Sequence, residues 1–347
     1  MIVALAVGAG QARAGTPKKS IWGPPTAQMF SQHYCPLGVG IFQYAIRWGA
    51  IAPTQPANPT DPNDPAYKWP AQIDEAIAAG KTCGIQVALM LIGTAPWANG
   101  GADFSVPPIS DQTFADFARA AATRYPDINY WMVWGEPNRR EQWSLSRPLT
   151  KVRAKKKQAQ APRRYASLLD TAYGALKSVN AANVVIGGMT FTGGAHAFAP
   201  IPWIRNMRLP NGRPPRLDMY GHNPFTTRKP KLKRDQIKAA SLDFSDLDVL
   251  FKEVKRRFKG RPKIFISEFT IPTDFQSTFL DFHTNQRTQA KWLKAALKIV
   301  RRDKRIFTLG WYELFDLPAS HPLGPIGWGL LTTGGAPKPA YSVFGAG

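Results

Sequence analysis

Ile85-Gln86-Val87-Ala88-Leu89-Met90-Leu91-Ile92 is followed, after a loop, by Asp111 to Tyr125 and then by Tyr130-Trp131-Met132-Val133-Trp134. The outer two are apolar runs of strand length, and the stretch between them carries its apolar residues at helical spacing. A strand, an amphipathic helix and a second strand in that order read as one βαβ unit with parallel strands. The alternation continues in both directions. Further strand-like runs fall at Ile21 to Trp22 (weak), Ile41 to Trp48, Val184 to Met189, Leu217 to His222, Lys263 to Glu268 and Phe307 to Leu314. Helical stretches fall at Ala71 to Thr82, Arg163 to Asn180, Trp203 to Arg208, Asp246 to Phe258 and Thr288 to Arg302, and Lys338 to Phe344 follows a Gly/Pro turn. This pattern predicts an α/β fold, a single (β/α)8 TIM barrel. A doubly wound open sheet is the alternative, because periodicity alone does not close a barrel.

A chain of 347 residues suits one such barrel with loop insertions. Pro53 to Pro65 and Pro107-Pro108 read as connections between elements, and neither a domain linker nor an internal repeat is evident. At 44% hydrophobic and 12% aromatic the chain can bury a large core, which excludes a disordered protein. It has no apolar run of about 18 residues, so no membrane-spanning helix is expected. The absence of GxGxxG after a strand, of GxxxxGK[ST] and of GxSxG weakens nucleotide-binding and α/β-hydrolase readings. Two cysteines exclude a disulfide scaffold and a Cys-based zinc cluster.

At the start, Ile2 to Ala9 is a short apolar run, and Ala12-Arg13-Ala14 is a small-x-small site before Gly15. Residues 1–14 therefore resemble a signal peptide lacking its basic start, with the barrel over 15–347, and a secreted, extracellular protein is expected. In an oxidising compartment Cys35 and Cys83, each a few residues before an apolar run, could pair. Two buried free thiols are the equal alternative.

Two strand ends carry the candidate chemistry. Trp134-Gly135-Glu136-Pro137-Asn138 closes the fourth strand and Ile266-Ser267-Glu268-Phe269 the seventh. A Glu directly after a barrel strand points to the mouth, and two on one ring can approach to about 5 Å, the separation a retaining glycosidase needs for an acid/base and a nucleophile. The alternation Ile264, Ile266, Glu268 places Glu268 in line with inward apolar side chains. Trp97 after the third strand and Trp311 on the eighth are candidate platforms for sugar rings. Tyr220 and His222 share the expected inward alternation of the sixth strand and could hydrogen-bond a carboxylate or a hydroxyl. His222 is not expected to bind metal, since the other histidines are scattered, and no cofactor is expected.

The WGEPN and ISEFT strand ends, with Tyr220-Gly221-His222-Asn223-Pro224, Gly310-Trp311-Tyr312 and the tail from Gly329-Leu330-Leu331 to Pro337-Lys338-Pro339-Ala340-Tyr341, resemble the (β/α)8 glycoside hydrolases of clan A, in the manner of families 39 and 5. The resemblance covers roughly Ile21 to Phe344. It implies Glu136 as acid/base, Glu268 as nucleophile and Arg47, at the end of the second strand, as the arginine beside the nucleophile. It implies a carbohydrate substrate. The clan carries Asn immediately before its acid/base, contacting the sugar 2-hydroxyl. Here that position is Gly135, and Asn138 is the candidate replacement. A catalytically weak glycan-binding barrel is the alternative function.

The charge is lopsided, 45 Lys+Arg against 23 Asp+Glu for a net +22, which favours acidic partners. No helix-turn-helix, zinc-finger or RNA-binding pattern accompanies it, so a specific nucleic-acid partner is not expected. Lys151, Arg153, Lys155, Lys156 and Lys157 follow the fourth strand, and Arg228, Lys229, Lys231, Lys233 and Arg234 the sixth. Loops after strands line the functional face of a barrel, so a preference for anionic glycans is expected from them. Lys252 to Lys263 and Arg301 to Arg305 fall on outer helices and at the opposite end, where solvated surface is the plain reading. A monomer is expected.

Overall fold

In the computed structural model, described for residues 16–149, 151, 154–194, 197–232, 241–275 and 281–347, eight parallel strands close into a barrel in chain order. They are β1 (Thr16–Trp22), β2 (Val39–Arg47), β3 (Gln86–Ile92), β4 (Tyr130–Val133), β5 (Val184–Phe191), β6 (Met219–Asn223), β7 (Lys263–Phe269) and β8 (Ile306–Trp311). Closure by pairing of β1 with β8 removes the open-sheet alternative. The candidate signal peptide lies outside the described residues.

β1 is longer than its apolar tip predicts, because its lysines are engaged by carbonyls. Lys19 Nζ donates to Leu37 O at 2.6 Å and to Phe344 O at 3.0 Å, tying the first strand to the closing helix Pro339–Ala346. Burial lowers that ammonium to about 8. The helices sit where periodicity placed them, with ends set by local chemistry. Ser110 caps Asp111–Arg124 by accepting from Gln112 N, and Phe114, Phe117, Ala118 and Ala121 form its buried face. The predicted Trp203 to Arg208 is instead Pro200–Asn206, since Pro200 and Pro202 fit a first turn, where their missing N–H groups cost nothing.

Contacts between opposite strands identify the inward side chains. Phe307 of β8 meets Tyr130 of β4 with ring centroids 5.6 Å apart, and Phe265 of β7 stacks on Phe307. Above them Ser267 Oγ donates to Gln43 Oε1 at 2.9 Å, and Gln43 Nε2 donates to Ser267 O at 2.9 Å and Ser20 Oγ at 3.2 Å. This buried polar layer is the floor of the mouth. A Cβ on Gly310 would collide with the Ser267 carbonyl and the Gln43 amide, so only glycine fits there. On β7 it is therefore Phe265 and Ser267 that face inward, and Ile264 and Ile266 face the helices, which corrects the predicted row.

Cys35 and Cys83 are joined in a disulfide, with Cα atoms 5.8 Å apart, just before the starts of β2 and β3. No described helix is long and apolar enough to cross a membrane. Near the mouth, buried Lys338 Nζ donates at 2.9 Å each to Asp316 Oδ1, Thr273 Oγ1 and Gly327 O. Burial pushes the Asp316 carboxyl up and the Lys338 ammonium down in spite of their pairing. Asp316→Ala leaves that cation buried without its paired carboxylate and is expected to cost about 3–5 kcal/mol of unfolding free energy in urea melts. A loss below about 1 kcal/mol, the worth of an exposed pair, would contradict this assignment.

Candidate active site

Glu136 sits on a strained turn directly after β4. Trp134 and Glu136 have φ of 66° and 45°, left-handed values that non-glycine residues rarely adopt, with Gly135 between them. A Cβ at Gly135 would lie 2.9 Å from Met90 Sδ and 3.0 Å from Ile92 Cδ1, so these two apolar side chains occupy the space a larger residue would need. The turn aims the buried Glu136 carboxylate at two donors. Oε1 accepts from Asn223 Nδ2 at 3.0 Å, and Oε2 accepts from Arg139 Nη1 at 2.8 Å.

Asn223, the last residue of β6, joins the two glutamates. Its Oδ1 accepts from the Glu268 N–H at 3.1 Å while its Nδ2 holds Glu136. The β7–β8 pairing shifts register between Ile266 and Phe269, and Phe269 packs against Phe244 and Trp311. That irregularity releases Glu268 from the strand's alternation and brings it into the mouth. Burial of its carboxyl, and next the charge of Glu136, push Glu268 well above the ordinary carboxylate range; Arg139 and the Asn223 amide draw it part of the way back. Glu313, two residues beyond β8, adds to the upward push and is itself raised by burial to about 7. Trp22, Tyr312 and Trp328 form an aromatic wall there, with centroids 6.1 Å and 4.9 Å apart, and Trp22 Nε1 donates to Ser267 O at 2.9 Å.

Several predicted residues lie elsewhere. Arg47 is exposed, its guanidinium 4.8 Å over the Phe104 ring, and Arg139 is the arginine that pairs with Glu136 and lowers Glu268 through its charge. Asn138 is fully buried and holds two loops together: Nδ2 donates to Phe191 O at 3.1 Å and Phe198 O at 2.9 Å, and Oδ1 accepts from Phe191 N at 2.8 Å. Its amide is thus engaged by the backbone. Trp97 is half-buried, donates to Ala52 O at 2.9 Å and packs edge-on against Trp48. Trp311 is fully buried against Phe269.

Tyr220 and His222 face the helical layer, opposite to the side that alternation predicted. Tyr220 packs on Phe258 beyond the barrel wall and lies 3.3 Å from Thr190 Oγ1. His222 Nε2 lies 3.0 Å from Leu242 O, which can only accept, so Nδ1 accepts from Thr190 Oγ1 at 2.9 Å. Burial lowers its pKa to about 4, and the ring is neutral.

Arg139, Asn223 and Glu313 were not singled out in the sequence. Each had a signal there: Arg139 is three residues past Glu136, Asn223 ends the quoted strand-six run, and Glu313 follows Tyr312. Of the basic loop residues, Arg153, Lys233 and Arg234 lie outside the described residues, and Lys151, Lys155, Lys156, Lys157, Lys229 and Lys231 are exposed. Arg228 pairs with Asp243 at 2.7 Å and Asp246 at 3.2 Å, so its charge is neutralised within its own loop.

No family model matches the chain, and neither does any curated protein. Solved structures do. A family 39 glycoside hydrolase from the gut symbiont Bacteroides cellulosilyticus WH2 is similar with a TM-score of 0.65 at 17% identity, over 96% of this chain and 63% of that one. A glucosidase from Croceicoccus marinus gives 0.67 at 13%, over 96% and 67%. The family 39 enzyme from Xanthomonas axonopodis pv. citri gives 0.62 at 15%, also over 96% and 67%. The chain thus spans 63 to 67% of the length of these three neighbours. At such identities the likeness establishes the fold: this chain is a closed (β/α)8 barrel of the kind that family 39 glycoside hydrolases, which its strand-end motifs resemble, also have.

Proposed function

We propose that the protein is a secreted retaining glycoside hydrolase that cleaves O-glycosidic bonds in oligo- or polysaccharides, with Glu136 as acid/base and Glu268 as nucleophile. The observation that carries this reading is the single Asn223 amide that binds both glutamates at the mouth of the barrel. In the first step Glu268 attacks the anomeric carbon while Glu136 gives its proton to the departing oxygen. In the second, Glu136 takes a proton from water, which attacks the same carbon and frees Glu268. The fold of the glycosidase neighbours supports the substrate class, and the Cys35–Cys83 disulfide supports export.

The resting electrostatics run against those roles. Burial favours a protonated Glu268, and Arg139 Nη1 occupies Glu136 Oε2. In this reading sugar hydroxyls entering the mouth compete for Arg139 and free Glu136 Oε2 for the departing oxygen. The same ion pair, with Met90 and Ile92 filling the space at Gly135, favours the second reading, a glycan-binding barrel with little turnover. A panel of aryl-glycosides and polysaccharides with mass detection of products separates the two: released sugar supports the hydrolase, and retention of a glycan with no release supports the binder.

The pH profile follows from the pair. Glu268 must be ionised to attack and its pKa is raised, so kcat/KM is expected to fall as pH drops through a value above the ordinary Glu pKa of about 4.3. Arg139→Met removes a cation that lowers Glu268 and is expected to move that acid limb further up. A limb at the ordinary value that does not move in the variant would contradict the assignment.

A further inference from the structure

A groove of about 920 Å³ lies away from the glutamates, beside the helix Leu247–Arg257. Lys263 in its wall is the first residue of β7, and Lys304 and Arg305 immediately precede β8, so it opens at the end of the barrel opposite the mouth. Eight of its thirteen lining residues are Lys or Arg. Its two acids are already engaged: Glu253 pairs with Arg205 at 2.6 Å and Arg256 at 3.5 Å, and Asp248 with Arg305 at 2.8 Å. Lys252, Lys255, Arg261, Lys263 and Lys304 are exposed, with no carboxylate partner among the described residues. The groove also has apolar surface from Val249, Phe251 and Pro262, and the Arg305 guanidinium lies 4.0 Å over the Phe251 ring.

We propose that this groove docks a single chain of an anionic polysaccharide bearing carboxylates, a uronate polymer, at a site separate from the glutamates. A concave surface lined by one sign of charge concentrates an oppositely charged ligand. The volume suits one extended chain of a few sugars. Val249 and Pro262 offer the C–H faces of sugar rings an apolar surface, which a polyphosphate has no group to use. Phe251 is buried under Arg305 and cannot stack a base, which disfavours single-stranded nucleic acid. Docking at this end leaves the mouth free and raises the local concentration of polymer around it. This places the anionic preference at the far end of the barrel, where unpartnered cations line a concave groove, rather than on the exposed lysines of the catalytic rim.

Binding is read directly, so its outcome is independent of whether the glutamates hydrolyse anything. The full chain is titrated into a labelled short oligogalacturonate at two salt concentrations, with polyphosphate and single-stranded DNA as competitors. Lys252→Glu/Lys255→Glu/Lys304→Glu changes the groove, and Lys155→Glu/Lys156→Glu/Lys157→Glu makes the same charge change on exposed lysines after β4. We expect wild type and the second variant to bind alike, more weakly as salt rises, and the groove variant to lose about tenfold or more in affinity. Lys263→Gln/Lys304→Gln, a milder change, is expected to lose about threefold and serves if the triple variant does not fold. No binding by wild type, equal loss in the Lys155–Lys157 variant, unchanged binding by the groove variants, or competition by polyphosphate or DNA as strong as by unlabelled oligogalacturonate would each overturn the proposal.

Discussion

Glu268→Ala is expected to lower kcat/KM by about 10⁴-fold or more on every glycoside the protein cleaves, because no other group replaces the covalent step. Glu136→Ala is expected to lose about 10²–10⁴-fold on substrates with poor leaving groups and far less on activated aryl-glycosides, whose first step needs no acid. Azide sharpens the contrast. It fits the space left by either carboxylate, so Glu136→Ala should give the glycosyl azide of retained configuration and Glu268→Ala the inverted one. Equal losses in the two variants on an activated aryl-glycoside would undo the assignment of roles.

Asn223→Ala is expected to cost about 10²-fold in kcat, the penalty for letting reacting groups drift by about 1 Å. Its amide touches both glutamates, yet it transfers no proton and forms no bond, so its part is positioning. Its hydrogen bond also lowers the Glu268 pKa. The variant should therefore move the acid limb of kcat/KM upward, an effect that a mere loss of folded protein does not produce. Reduced kcat with an unmoved limb would assign Asn223 to scaffold alone.

The barrel was legible because its helices announce themselves. Ser110 before Asp111 and the Phe114, Phe117, Ala121 spacing mark one directly, and strands of the right length fill the gaps. Facing was less legible. A parallel barrel buries both sides of its strands, so Tyr220 and His222 look as inward as Asn223, and Ile264 and Ile266 look as inward as Phe265 and Ser267. Only cross-barrel contacts distinguish them. The two glutamates were legible as strand-end carboxylates, whose strand positions fix their end of the barrel. Their surroundings were not, since Arg139 reaches Glu136 through a turn with two left-handed residues that no hydrophobic pattern encodes. Trp97, Trp311 and Arg47 mark a different gap: an aromatic or basic residue near a strand end packs into the wall or lies on the surface as readily as it lines a cleft.

Proton NMR of the first sugar released tests the two-glutamate mechanism most directly. On a substrate found in the glycoside panel, spectra taken before mutarotation should show the anomer with the configuration of the bond cleaved, because two displacements at one carbon restore it. First appearance of the opposite anomer would mean a single displacement by water, and Glu268 would not be a nucleophile.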